Sequence, residues 1–302
     1  MNIKSVVVGG AGFIGSHLSR ALLDKKHDVH IIDNLSRGKK ENVPQGTTFY
    51  EIDAQDTAAL TKIFAGATYV FHMAALPRVQ YSIEHPLETN HNNVCSTVSV
   101  LAAAKEAKVT RVVYAASSSY YGNTDSLFLK EDMPARTMSP YALQKHIGEL
   151  YCRLFSDIYQ LPTVSLRYFN VYGPGMFDDG AYPLVIDKFI QQRQKGLPLS
   201  ITGDGTQARD FTHVHDVVRA NILAAESANV GNGEVLNIGT GKKISVNAIA
   251  AMIGGATEHI APRIEPHDTL ADNSLAKELL NWEPTITLEE GVAEMKQLSG
   301  IV

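Results

Sequence analysis

Tyr141 and Lys145 stand four residues apart, just after Ser139-Pro140, where a stretch of helical periodicity begins. That spacing puts both side chains on one helix face. Of the twelve tyrosines, this one alone has a lysine four residues on. A free phenol ionises near pH 10, so a tyrosinate at neutral pH needs help worth about 4 kcal/mol. Neighbouring positive charge gives help of that kind. The resulting tyrosinate is a general base for a hydroxyl group. Ser117-Ser118-Ser119 follows the apolar run Arg111-Val112-Val113-Tyr114-Ala115-Ala116, so Ser117 stands at a strand end and can hold the same hydroxyl. By itself a Tyr–Lys pair is an ordinary feature of a helix surface. Its chemical meaning comes from the elements upstream.

Val6-Val7-Val8 reads as a buried parallel strand. Gly9, Gly12 and Gly15 follow at three-residue spacing, and Leu18, Ala21 and Leu22 then repeat at helical spacing. Strand, glycine turn and helix in this order open a dinucleotide-binding unit. One glycine permits the tight turn, one lets backbone approach a pyrophosphate, and one lets helix pack on strand. The helix N-terminus offers N–H groups to the phosphates. The next strand, Val29-His30-Ile31-Ile32, ends in Asp33, eighteen residues after Gly15, close to the ~20 expected of a ribose-binding acid. A carboxylate there accepts from ribose hydroxyls and repels a 2′-phosphate, which favours NAD over NADP. Arg37, Lys39 and Lys40 just downstream read as a solvated basic loop.

The 302 residues suit one large or two modest domains, and 44% hydrophobic with 20% charged is ordinary globular composition. A net charge of −5 argues against a nucleic-acid partner. The two cysteines, Cys95 and Cys152, fall in helical patterns and read as small buried hydrophobes in a reducing, cytoplasmic setting. The chain enters a strand almost at once, so the expectation is of no signal peptide. No apolar run approaches the ~18 residues of a membrane span. Strands at 47–52, 69–72, 111–116 and 163–168 alternate with helices at 58–64, 87–107 and 140–159. This predicts an α/β fold with a doubly wound parallel sheet of Rossmann type. Residues 1–169 would form the NAD-binding domain. Residues 170–302, with shorter elements, would form a smaller substrate-binding lobe, some segments of which return to the first. Ligands bind such sheets at the carboxyl ends of strands, where Asp33, Asp53, His72 and the serines all fall.

These residues, with His72-Met73-Ala74-Ala75, Asn93, Ser117-Ser118-Ser119-Tyr120-Tyr121-Gly122, Ser139-Pro140-Tyr141-x-x-x-Lys145 and Arg167-Tyr168-Phe169-Asn170-Val171-Tyr172-Gly173, resemble the extended short-chain dehydrogenase/reductases. Within that family the chain is most similar to the UDP-galactose and UDP-N-acetylglucosamine 4-epimerases. The resemblance runs over nearly the whole chain, through Gly203-Asp204-Gly205 and Arg209-Asp210-Phe211 to Ala271-Asp272 and Trp282-Glu283-Pro284. It implies that Tyr141, aided by Ser117, removes the proton of the sugar 4-hydroxyl while hydride passes from C4 to NAD. The 4-keto sugar then turns over and takes hydride back on its other face. Lys145 would hold the nicotinamide ribose and depress the tyrosine pKa.

The same resemblance implies cofactor contacts at Gly9, Gly12, Phe13, Ile14, Gly15, Asp33, Asn34, Ser36, Gly38, Asp53, Ala54, Met73, Ala74, Ala75, Asn93 and Tyr168, besides Tyr141 and Lys145. It implies nucleotide-sugar contacts at Arg78, Ser117, Ser118, Ser119, Val185 and Val246. Asn170 and Arg209 would meet the diphosphate, and Ser200 and Thr202 the uracil. Arg263 is the candidate for a second diphosphate contact, in a loop one residue shorter than the family spacing. Thr269 falls where a tyrosine confines the pocket to a sugar 2-hydroxyl and a small residue admits an N-acetyl group. Gly180-Ala181-Tyr182 also resembles the epimerases of N-acetylated sugars.

A 4,6-dehydratase would need Thr-Asp-Glu in place of the serines. A uronic-acid enzyme would want an arginine near Met176 or Phe177, and the sequence has none there. His213-Val214-His215-Asp216 has alternating spacing, which puts both histidines on one strand face. With no further cluster they read as structural residues, with no metal. A non-catalytic NAD-binding protein is the remaining alternative, and intact Ser117, Tyr141 and Lys145 argue against it. Val98, Leu101, Leu150, Tyr151 and Leu154 exceed the single apolar stripe that a doubly wound sheet buries. They predict a homodimer joined through a four-helix contact, as the resemblance also implies.

Overall fold

The computed structural model describes residues 3–124, 126–176, 184–262 and 268–301. Strand and helix alternate through the first part: β1 (Lys4–Val8), α1 (Phe13–Asp24), β2 (Asp28–Ile32), β3 (Thr48–Tyr50), α2 (Thr57–Phe64), β4 (Tyr69–His72), α3 (Val79–Glu84), α4 (Pro86–Asn90), α5 (Ser96–Glu106), β5 (Arg111–Ser117), α6 (Pro140–Tyr159) and β6 (Thr163–Tyr168). There follow β7 (Val171–Tyr172), α7 (Val185–Gln194), β8 (Leu199–Thr202), β9 (Ala208–Asp210), β10 (Thr212–His213), α8 (Val214–Glu226), β11 (Asn232–Ile238), β12 (Lys243–Ser245), α9 (Val246–Ile253), β13 (Thr257–Ile260), α10 (Ser274–Leu280) and α11 (Leu288–Leu298).

Among the described residues, seven parallel strands form the central sheet in the order β11-β6-β5-β4-β1-β2-β3. It is the doubly wound sheet that the alternation predicts. Period-two alternation divides each strand between two buried faces. Val7, Phe71 and Val113 pack with Leu18 and Leu22 of α1 and Val217 of α8. Val6, Val8, Val70 and Val112 pack on the other side with Phe64 of α2, Leu101 of α5 and Cys152 of α6. A further core gathers Phe189 of α7, Ile201 of β8, Ile249 of α9 and Met295 of α11. No described helix is long and apolar enough to cross a membrane.

Helix α6 and strand β6 have the boundaries that periodicity predicts. Ser139 caps α6 by accepting from the Ala142 N–H (3.1 Å), with Pro140 at the first helical position. The expected helix over 87–107 is instead α4, a π turn at His91–Cys95, and α5. The extra residue of a π turn breaks the 3.6-residue pattern and marks functional sites; here it buries Asn93.

After 170 most elements are short, as expected, but three longer helices stand among them. α7, α8 and α11 run ten, thirteen and eleven residues. In α8 the apolar pattern is interrupted by Asp216 and Asn221, both buried and hydrogen-bonded. The two histidines do not share a strand face. His213 ends β10, and its ring accepts from the His215 N–H at the first turn of α8 (3.3 Å).

Candidate active site

The strand order turns back between β4 and β1, the place where open α/β sheets bind ligands. A solvent-open cleft of about 600 Å³ lies there. Gly9 has φ +86°, and a Cβ on it would stand 2.5 Å from the Ala74 nitrogen. A Cβ on Gly15 would stand 2.1 Å from the Gly9 carbonyl. Both glycines are demanded by the turn itself. Gly12 differs, because its Cβ would meet only the Gly9 carbonyl, at 3.3 Å. The space above it is left for a ligand. Gly12 caps α1 without a side-chain hydrogen bond, and the first turn, Phe13-Ile14-Gly15, holds no acid. An anion fits that helix end.

Asp33 is buried at the cleft floor. It accepts from the Ala11 N–H (3.0 Å) through Oδ2 and the Leu35 N–H (2.9 Å) through Oδ1. A Cβ on Gly38 would come within 2.8 Å of this carboxylate. Burial raises the Asp33 pKa, and the two backbone bonds oppose the rise. Asn34 donates to Asp53 (2.8 Å), tying β2's loop to β3's. Ser36, Ala54, Met73, Ala74 and Ala75 complete the wall with these residues. Leu76, Asn92 and Ser96 line it too. Of the missed wall residues, Asn92 and Ser96 belong to the helical segment after β4, one turn apart. A carboxylate at the floor and a bare helix end together fit NAD. Arg37 is exposed, as a solvated basic loop predicts, and it also lines the cleft with its guanidinium over Tyr81, 5.1 Å from the ring centre.

At the carboxyl end of β5, Ser117 Oγ accepts from the Ser119 N–H (3.2 Å) and hydroxyl (2.9 Å). Ser117 is close enough to the Tyr141 phenol to favour its ionised form. The Tyr141 N–H donates to Ser82 of α3 (3.0 Å), which fixes the start of α6. Burial raises the Tyr141 pKa, while Ser117 and then the Arg78 guanidinium lower it. The expected source of positive charge, Lys145, turns elsewhere. A buried ammonium must find an acceptor, and Lys145 Nζ donates to the Ala115 carbonyl (2.7 Å) beneath the Tyr114 ring. Burial pushes Lys145 down to about 8. His72 is pushed down to about 3 by burial and by Lys145, so it stays neutral.

Asn93 and Tyr168 hold the walls. Asn93 bonds the Leu76 backbone (2.7 Å) and Gln144 of α6 (2.8 Å). The Tyr168 hydroxyl donates to Asn221 (2.9 Å) and lies 3.6 Å from the Met73 sulfur.

Beyond Tyr141 lie residues that follow β6 in the chain. The Arg78 guanidinium is influenced by both Tyr141 and Asp187 of α7, two residues past Val185. Asn170 donates to the Asp210 carbonyl (2.7 Å) and lies 3.5 Å from the Thr269 hydroxyl. Asp210 does not pair with Arg209. Its buried carboxylate accepts from Thr240 N–H (2.8 Å), Thr240 hydroxyl (2.6 Å), Gly241 N–H (2.9 Å) and Ala271 N–H (3.1 Å). Val246 N–H bonds the Gln207 carbonyl, and Gln207 reaches the Thr202 carbonyl (2.9 Å). Thr202, Val246, Arg209, Asn170 and Thr269 therefore gather on one side. The Ser200 hydroxyl accepts from Gln192 of α7 (2.8 Å). Arg263, Phe177 and Gly180-Ala181-Tyr182 lie outside the described residues.

A nucleotide cleft at the switch point of a parallel sheet, with Ser117 and Tyr141 beside it, defines a Rossmann-type enzyme of the extended short-chain dehydrogenase/reductase kind. Residues 5–239 match the NAD dependent epimerase/dehydratase family, and the chain belongs to that family. It is 37% identical over 296 residues to a putative UDP-glucose 4-epimerase of Methanocaldococcus jannaschii, covering 95% of each chain. It superposes with TM-score 0.93 and 37% identity on the UDP-N-acetylglucosamine 4-epimerase of Methanobrevibacter ruminantium solved with UDP-N-acetylmuramic acid, covering 98% of this chain and 97% of that one. It also matches the UDP-glucuronic acid 4-epimerase of Bacillus cereus solved with UDP-glucuronic acid and NAD, with TM-score 0.89 and 33% identity over 98% of this chain and 100% of that one.

Proposed function

We propose that this protein inverts C4 of UDP-hexoses, accepting UDP-N-acetylglucosamine and UDP-N-acetylgalactosamine as well as UDP-glucose and UDP-galactose. The observation that carries the reading is a cleft floored by Asp33 with Ser117, at the end of β5, close enough to the Tyr141 phenol to favour its ionised form. NAD, when bound, supplies the hydride acceptor and a positive charge. Gly12 and the start of α1 would meet its diphosphate, and Asp33 its adenosine ribose. Tyr141 takes the 4-hydroxyl proton and later returns it. Ser117, with two of its contacts fixed by Ser119, orients that hydroxyl and steadies the phenolate. Arg209 and Asn170 hold the sugar diphosphate; a guanidinium suits bidentate phosphate contact.

The test is separate incubation with UDP-glucose, UDP-N-acetylglucosamine and UDP-glucuronic acid, with the products resolved chromatographically. Galacto products from the first two are expected. Turnover of UDP-glucuronic acid alone would move the protein to the uronic-acid branch. NAD should copurify. Asp33→Asn should weaken NAD binding by about tenfold or more, because a charged hydrogen bond is worth ~1.5–3 kcal/mol. Fluorescence titration of cofactor-stripped protein measures this.

We also infer a homodimer. Leu143, Leu150, Leu154 and Ile158 repeat along one face of α6 and are 48%, 55%, 44% and 60% exposed. Ile147 continues the stripe, and half-exposed Val94 and Val98 lie on the neighbouring helix. Leu101 and Tyr151 are not part of it, since both pack into the core. An apolar stripe of this spacing fits a second copy of itself. Glu at both Leu150 and Leu154 should give monomers in sedimentation at micromolar concentration. An unchanged sedimentation coefficient would place the interface elsewhere.

A further inference from the structure

Arg167 of β6 and Glu149 of α6 are both nearly inaccessible, at 2% and 4% exposure. They form a bidentate pair, Nε to Oε1 at 2.9 Å and Nη2 to Oε2 at 2.8 Å. The guanidinium carbon lies 3.4 Å from the centre of the Tyr120 ring, and Nη1 donates to the Tyr121 hydroxyl (2.9 Å). Tyr120 and Tyr121 close the single 3₁₀ turn that begins right after Ser117. Glu149 lies one helical turn beyond Lys145 and two beyond Tyr141. Burying two charges costs several kcal/mol each, and apolar side chains of similar volume fill such a space at least as stably. Stability alone therefore gives no reason for an ion pair here.

We propose that Arg167 and Glu149 are a positioning pair for proton transfer: they lock the 3₁₀ turn that follows Ser117 to the helix that carries Tyr141, and they place a carboxylate one turn from Lys145. Neither residue touches the reacting atoms. The inference rests on the epimerase reading and adds two residues to it. Two consequences follow. Without the lock, the Ser117–Tyr141 contact loosens, and small misplacements of reacting groups cost large factors in rate. Without the carboxylate, Lys145 loses the negative charge that favours its ammonium form.

The charged and titratable groups around this pair are few. Glu149 faces Arg167 from β6, Tyr114 from β5, and His146, Lys145 and Cys152 on its own helix, while Tyr121 of the 3₁₀ turn faces Arg167. The side chain and backbone of Glu131 approach Arg167 from the loop before α6. Lys145 faces His72 of β4, which is neutral, and the Ala115 carbonyl.

The experiment uses the full chain with NAD and three variants: Glu149→Gln, the double variant Glu149→Leu/Arg167→Met, and Tyr141→Phe as the reference for lost chemistry. The double variant should stay folded with full NAD content. Its kcat should fall about 10- to 100-fold while KM stays within about threefold. For Glu149→Gln, the alkaline limb of the kcat profile should move to lower pH, because the neutral amide no longer favours charged Lys145. Wild-type kcat in the folded double variant, or an unmoved alkaline limb in Glu149→Gln, overturns the proposal. If the double variant fails to fold, Glu149→Gln decides alone. Should the wild-type chain turn over no UDP-sugar, the epimerase reading fails separately. The pair is then judged on the Tyr141 phenol titration of the double variant, or of Glu149→Gln if the double variant does not fold. The titration is read as an ultraviolet difference spectrum against Tyr141→Phe, and an unshifted phenol overturns the proposal.

Discussion

Tyr141→Phe is expected to lower kcat by about 10²–10⁴-fold, the range that a positioned proton-transfer group contributes. The substitution removes one oxygen and leaves the ring in place. The start of α6 is held by Ser82 and Ser139 through backbone N–H groups, so it does not depend on the phenol. Thermal stability and NAD content should therefore match the wild type. The pH profile sharpens the test. Only the ionised phenol accepts a proton, so kcat rises as pH rises through the Tyr141 pKa. Burial pushes that pKa up, and Ser117 and Arg78 pull it back. Lys145, pushed down to about 8 in the cofactor-free protein, would act on the cofactor and not on the phenol: its ammonium would hold the nicotinamide ribose, so its deprotonation gives the opposing limb. Tyr141→Phe should retain only residual activity without the rising limb. A variant with wild-type turnover, or with the full bell intact, would remove Tyr141 from the role of base.

Thr269→Tyr is expected to cost about ten- to a hundredfold in kcat/KM for the N-acetylated sugars and to spare UDP-glucose. The energy behind the figure is the ~1–3 kcal/mol of an overfilled, close-packed site. Thr269 is half-buried. Its N–H bonds the Ala208 carbonyl (3.1 Å), and its hydroxyl lies beside Asn170, next to Arg209. The short loop leaves the register open to Asp268 or Leu270, and their surroundings tell against both. Asp268 accepts from the Ala208 N–H (3.2 Å) and pairs with Lys243. Leu270 is buried, and its carbonyl accepts from the Leu129 N–H (2.8 Å). Parallel kinetics with UDP-glucose and UDP-N-acetylglucosamine decide the matter. Equal loss on both sugars, or no loss on either, would show that the 2-substituent is read elsewhere.

The sequence by itself determined whatever depends on neighbours along the chain. Three consecutive valines and the glycine spacing specify β1, the turn and α1, because a strand, a positive-φ turn and a helix are each local demands. Tyr141 and Lys145 share a face because helical geometry alone puts them there, and Ser139-Pro140 starts α6 because caps are local too. The alternation of strands and helices predicted the doubly wound sheet. The fold decided where buried charges find their partners. Lys145 is turned to the Ala115 carbonyl, Arg78 becomes the cation acting on the Tyr141 phenol, and Asp210 is claimed by the 240–241 turn and Ala271, not by Arg209. Arg37, exposed as its loop predicts, also stacks on Tyr81 at the cleft, a partner that the spacing does not name. The π turn at Asn93 and the polar interruptions of α8 escaped for the same reason. A buried polar group must be satisfied, but its partner comes from whichever element the tertiary packing brings within reach, and no spacing in the sequence records that choice.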